Sequence, residues 1–167
     1  MSFNVRQIFA ALNDAQVDYV VVGGLAVILH GYLRATADLD LAIGLAPDNA
    51  HRGMQALSAI GLRPRLPVSI EDFADPEKRA QWAQRNMLVL PLWDPNNPLR
   101  SVDVFIGEPI AFDHLLRDAV RKDLDGTSVL VASIDHLIEM KEGVGRSRDL
   151  EDIEKLRQIR DAERGEP

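Results

Sequence analysis

Asp38 and Asp40 stand two residues apart in the stretch Asp38-Leu39-Asp40-Leu41-Ala42-Ile43. The stretch alternates polar and apolar, which is the period of a strand. Both carboxylates therefore project from one face, and Leu39, Leu41 and Ile43 from the other. Like charges side by side on a sheet repel each other. A divalent cation offsets that repulsion, and hard oxygen ligands suit Mg2+ or Mn2+. Asp103 repeats the pattern between Val102 and Val104, where an unpaired charge is costly. If its strand lies beside that of Asp38 and Asp40, three carboxylates meet on one face, as two-metal phosphoryl transfer requires. The alternative is an exposed polar face whose aspartates pair with Lys or Arg.

Gly23-Gly24 follows the β-branched run ending Val20-Val21-Val22. A glycine pair between a buried strand and a helix lets the backbone approach a ligand closely. It also presents N–H groups at a helix start, where phosphate is favoured; a tight strand-to-helix turn is the plainer reading. Arg34 and Thr36 lie just ahead of the carboxylates and can supply a charge partner and a hydroxyl to a phosphate. Near the other end, Ile134, Leu137 and Ile138 form an apolar stripe that carries Lys141 on its buried side. A lysine there either aims at nucleotide phosphates or pairs with a core acid. Asp149 falls near the apolar edge of the last helix, at i+4 before Ile153 and i+7 before Leu156, or simply favours a first helical turn. Arg146 and Arg148 flank the turn after Gly143-Val144-Gly145 and can reach phosphate or solvent. His30, His51, His114 and His136 have no metal-ligand spacing. Trp82 and Trp93 can stack a base or anchor loops.

These residues need elements to hold them. Periodicity predicts helices over 4–15, from Gly23 to about Tyr32, from Pro47 to Gly61, around 75–84, over 134–142 and over 148–163. Strands are predicted over 18–22, 38–43, 87–90, 101–106 and 128–131. Asp94-Pro95-Asn96-Asn97-Pro98 is a strong turn signal, so the strands on either side of it are expected to run antiparallel. Residues 62–85 are the least readable part. The order α-β-α-β-α-β-β-(α)-β-α-α predicts an α/β (α+β) fold with a mixed, partly antiparallel sheet flanked by helices. A core over 1–107 and a C-terminal strand and helices over 108–167 are expected to form one compact domain.

Composition bounds the chemistry. The 167 residues contain no cysteine, which excludes disulfides, thiolate metal sites and a cysteine nucleophile. Acidic side chains number 26 against 19 basic ones, for a net charge of −7, a poor balance for a long nucleic-acid footprint. The opening stretch MSFNVRQIF lacks the apolar run of a leader or membrane span. The expected location is the cytoplasm, with no membrane association.

Gly23-Gly24, a spacer of thirteen residues, then Asp38-x-Asp40 with Asp103 on a later strand together resemble the signature of the polymerase-β-like nucleotidyltransferases. The stretch Ser133-x-x-x-Leu137-x-x-x-Lys141-x-x-x-x-Arg146-x-x-Asp149-x-x-Asp152 looks like the tail of the AbiEii-type group, small bacterial enzymes of type IV toxin–antitoxin pairs. The resemblance implies metal-dependent transfer of NMP from an NTP to an acceptor hydroxyl. Two Mg2+ or Mn2+ ions would be held by Asp38, Asp40 and Asp103. The glycine turn, Arg34, Thr36 and Arg146 would bind the nucleotide, and Lys141 and Asp149 would belong to the active site. The implied acceptors are tRNA, a protein or a small molecule, and the implied partners a cognate antitoxin and a second copy in a homodimer. Two other readings stay open: a catalytically silent interaction partner, and a small antibiotic nucleotidyltransferase.

Overall fold

A computed structural model describes residues 4–165, leaving the first three residues of the MSFNVRQIF stretch outside. A seven-stranded sheet has the order β3-β4-β5-β2-β1-β7-β6. Its strands are β1 (Tyr19–Val22), β2 (Leu39–Ile43), β3 (Arg63–Pro64), β4 (Val89–Asp94), β5 (Asn97–Phe105), β6 (Val120–Leu124) and β7 (Thr127–Val131). The helices are α1 (Val5–Asp14), α2 (Gly23–Leu29), α3 (Pro47–Ala59), α4 (Pro76–Gln84), α5 (Phe112–Arg117), α6 (Ile134–Glu142) and α7 (Ser147–Glu163). A 3-10 turn occupies Ile70–Ala74. The mixed sheet flanked by helices is the expected architecture.

All four residues of β1 are buried, so the centre of the sheet is covered on both faces. Leu39, Leu41 and Ile43 of β2 enter the core, where Ile43 packs against Gly53 of α3. Pro47 opens α3 at its first turn as expected. On the opposite face α2 contacts α6, and α6 packs along α7. β2 pairs β1 antiparallel and β5 parallel, while β5 pairs β4 antiparallel.

Some boundaries differ from the sequence reading. The hairpin strands β4 and β5 are longer than predicted, because the turn tightens to Pro95-Asn96 and Asn97 already pairs with Asp94. Helix α2 stops at Leu29, one turn short of Tyr32, where Gly31 takes a positive φ of +114°. The strand expected over 128–131 is present as β7 and pairs β1; an additional strand, β6, joins it in a hairpin at the sheet edge. Its turn is Asp125-Gly126, with φ of +50° and +85°, the pair of positive angles that an Asp-Gly turn accommodates. Residues 62–85 resolve into β3, the 3-10 turn and α4. Ser69 caps the 3-10 turn, and Asp75 caps α4 by accepting from the Glu77 N–H at 2.9 Å.

Candidate active site

The site grows from the end of β1. The register sets Val22 opposite Asp40, so the chain leaving β1 turns directly beside that carboxylate. Gly23 makes the turn at φ +68°, and a Cβ built there would lie 2.1 Å from Asp40 Oδ2. No side chain fits, so glycine is required by space as well as by φ. The next N–H, of Gly24, donates to the Asp40 carboxylate. A Cβ on Gly24 would stand 2.7 Å from Thr36 Oγ1 and 2.8 Å from Arg34 Nη2. The second glycine therefore lets the 30–38 segment fold down onto the turn. Thr36 Oγ1 donates to the Asp38 carbonyl at 3.3 Å, fixing the approach into β2.

Parallel pairing of β2 with β5 sets Asp40 directly opposite Asp103. The condition attached to Asp103 in the sequence is met: its strand is the neighbour of β2, and the two carboxylates share a face. Burial, then the Asp103 and Asp38 charges, push the Asp40 carboxyl up to about 7. Burial and the Asp38 charge likewise raise Asp103.

The other half of the site comes from α6 and α7. Lys141 is buried, and its Nζ lies 2.8 Å from Asp152 Oδ2 and 3.6 Å from Asp149 Oδ1. Arg34 Nε reaches the remaining Asp152 oxygen at 3.0 Å. Arg146 closes the start of α7: its N–H and its Nε donate to Asp149 Oδ2 at 3.2 and 3.1 Å. Burial pushes Asp149 up, but the Arg146 hydrogen bonds and the Lys141 charge outweigh it and hold the carboxyl below its ordinary range.

All ten candidate residues line one cavity of about 500 Å³: Gly23, Gly24, Arg34, Thr36, Asp38, Asp40, Asp103, Lys141, Arg146 and Asp149, with Ala37 and Arg148. Its charges are segregated. Asp38, Asp40 and Asp103 occupy the sheet side; Arg34, Lys141, Arg146 and Arg148 approach from the loop and the C-terminal helices. Carboxylates beside guanidinium and ammonium groups suit a cation and a polyphosphate lying together.

Among the described residues, no three His, Cys, Asp or Glu side chains converge closely enough to enclose an ion by themselves. The donors nevertheless fit a hard divalent cation. They are carboxylate oxygens, crowded enough to perturb one another, and Mg2+ typically takes one or two carboxylates and completes its shell with substrate phosphate and water. The histidines stay apart from this cavity. His30 is buried, 2.8 Å from the Ala132 carbonyl. Trp82 is buried as an anchor, and Trp93 lies under the Arg65 guanidinium, 5.0 Å from its ring centroid.

No protein-family model matches the chain, and no curated protein matches it. Solved structures do. The lincosamide antibiotic adenylyltransferase LnuA, with lincomycin bound, is similar over 95% of this chain and 99% of its own, with a TM-score of 0.59 at 15% identity. ANT(2'')-Ia in complex with adenylyl-2''-tobramycin matches over 96% of this chain and 89% of its own, with a TM-score of 0.61 at 13% identity. The solution structure of ANT(2'')-Ia gives 0.57 at 14% identity over the same shares. The chain has a nucleotidyltransferase fold.

Within that nucleotidyltransferase fold, one further residue of the C-terminal pattern, to which the sequence assigned no role, joins the site. Asp152 is completely buried and touches both Arg34 and Lys141. It lies one helical turn after Asp149, and that i, i+3 pair on one face of α7 was the available signal. No described helix is long and apolar enough to cross a membrane.

Proposed function

We propose that the protein is a divalent-metal-dependent nucleotidyltransferase that moves NMP from an NTP to an acceptor hydroxyl. The observation that carries the reading is the direct pairing of Asp40 with Asp103 in a cavity whose opposite wall is Arg34, Lys141 and Arg146. Asp38, Asp40 and Asp103 would hold Mg2+ or Mn2+. When bound, the cation supplies charge neutralisation at the phosphoryl oxygens and acidifies a coordinated hydroxyl. The glycine turn leaves room for the triphosphate, and Lys141, Arg34 and Arg146 orient it by charge. The acceptor O–H gives its proton to Asp103 as its oxygen forms a bond to the α-phosphorus. The bond from the α-phosphorus to the bridging oxygen breaks, and pyrophosphate leaves.

A small-molecule acceptor is the reading the whole-chain likeness to antibiotic adenylyltransferases supports. The Lys141-to-Asp152 pattern supports instead the AbiEii-type reading, a cytoplasmic toxin with a cognate antitoxin and a tRNA acceptor. The acidic balance of 26 against 19 favours the first. The test is transfer of label from each α-labelled NTP, with Mg2+ or Mn2+, to tRNA, protein and small hydroxylated acceptors. Transfer lost in both Asp40→Asn and Asp103→Asn is the expected result. Absence of NTP binding in the presence of either metal refutes the proposal.

A further inference from the structure

Next to the cavity lies a second hollow of about 440 Å³. Its walls include Met87 and Leu88 before β4, Phe105 at the end of β5, and Met140 and Val144 at the end of α6. Two elements run from the cavity into it. Asp103 and Phe105 occupy the same face of β5, about 7 Å apart along the strand. Lys141 in the cavity adjoins Met140 in the hollow. Leu88 is 75% exposed and Val144 55%, an arrangement in which apolar surface stays open to water beside a polar site. Such exposed patches mark binding surfaces. Glu108 is the one charged residue of the lining, which contains no Lys or Arg.

We infer that this hollow is the acceptor subsite, and that it takes a small alcohol with an apolar body and a single amine. The inference rests on the transferase reading above. With its hydroxyl at Asp103, such a molecule lies over Phe105 and along Leu88, Met140 and Val144. Its ammonium group is then free to meet Glu108. The volume is that of a drug-sized ligand. An RNA acceptor needs several cations along its phosphates, and this wall offers none. A polyamine needs several carboxylates, and it offers one.

The experiment uses the full chain and three probes. N-phenylnaphthylamine reports occupancy of the hollow by fluorescence. Aminodecanol and aminoethanol share reacting ends and differ only in apolar body. The expected result is saturable fluorescence, displaced by aminodecanol and not by aminoethanol. Displacement weakens about tenfold in both Leu88→Asp and Val144→Asp, the loss of one apolar side-chain contact. Both side chains are exposed, so neither substitution disturbs the core. In transfer assays with labelled NTP and Mn2+, aminodecanol has the lower KM, and these substitutions raise that KM while leaving NTP binding unchanged. No saturable binding, equal displacement by the two amino alcohols, or unchanged displacement in both variants overturns the inference. A dimer in solution that Leu88→Asp dissociates, or transfer to tRNA with none to aminodecanol, also overturns it. Calorimetric titration with a non-hydrolysable NTP and Mn2+ separates the two levels. Lack of nucleotide binding sinks the transferase reading, whereas nucleotide binding without probe binding sinks the subsite alone.

Discussion

Asp40 is the most heavily perturbed carboxylate of the cavity, with two other aspartates near enough to oppose its ionisation. Its folded value of about 7 stands above the ordinary 3.8, so stability is lost as the pH rises from about 3.8, and the loss is complete once the pH passes the folded value. Asp40→Asn removes that charge and keeps an acceptor for the Gly24 N–H. In chelator at about pH 8 we expect this substitution to raise stability, on the order of 2 kcal/mol, with the gain fading toward about pH 4. Urea unfolding at both pH values checks it, and transfer activity is lost throughout. Asp152 works in the opposite sense. It is the shared partner of Arg34 and Lys141, and Asp152→Ala leaves Arg34 without its carboxylate and Lys141 with Asp149 alone, at 3.6 Å. The expected cost is about 3 kcal/mol, the usual consequence of removing one member of a buried ionic group. Urea unfolding measures it, and an unchanged midpoint would show that the two cations find water instead. Asp152 stood in the sequence only as the end of the C-terminal pattern, with no role attached; of the two residues, a role was legible for Asp40 alone. Its strand alternation is local, two residues each way, whereas an acid one helical turn beyond Asp149 in a highly charged helix reads as solvent-facing until Lys141 is seen beneath it.

At the scale of elements, the turn between β1 and α2 was legible because its requirement is local. A glycine pair after a β-branched run has few other uses, and the structure gives Gly23 a carboxylate where a Cβ would be. The β6–β7 hairpin was less legible. Its outer strand, Val120-Arg-Lys-Asp-Leu124, is largely exposed and charged, so no apolar alternation announces it, although Asp125-Gly126 is a strong hairpin signal. The hairpin is tied inward through the end of α2, where the buried His30 lies 2.8 Å from the Ala132 carbonyl just beyond β7. Burial lowers the His30 pKa from its ordinary 6.5, more than that hydrogen bond raises it. The unfolded chain therefore takes up a proton that the folded chain refuses. Stability supplied by neutral His30 is present above about pH 6.5 and is lost as the pH falls through the depressed folded value. We expect thermal stability to decline below about pH 6.5, with a shallower decline in His30→Gln. Parallel melts of the two proteins across that window check it.

For the whole molecule, length, composition and the order of elements were enough to indicate a mixed sheet flanked by helices. They did not reveal the strand order. Whether Asp103 meets Asp40 depends on β5 lying beside β2 rather than at an edge, and no local spacing encodes a pairing between residues so distant in the chain. The net charge of −7 was likewise an incomplete guide. It describes the whole surface, while the cavity itself sets four basic side chains against four acidic ones.

The pairing of β2 with β5 also has a consequence in time. The cavity takes its walls from Gly23 through Asp149, so most of the chain must be in register before any of it exists. Long-range pairings of this kind form slowly, because loop closure precedes the contacts that reward it. A chain emerging from synthesis, or caught part-way through refolding, has its glycine turn and its first two carboxylates but no competent centre. In a refolding experiment, recovery of nucleotide binding is expected to trail the early helical signal in far-ultraviolet circular dichroism. It should coincide with the slowest folding phase. Because the cavity needs Lys141, Arg146 and Asp149 as well as Gly23, a fragment ending before α6 is expected to fail to bind nucleotide.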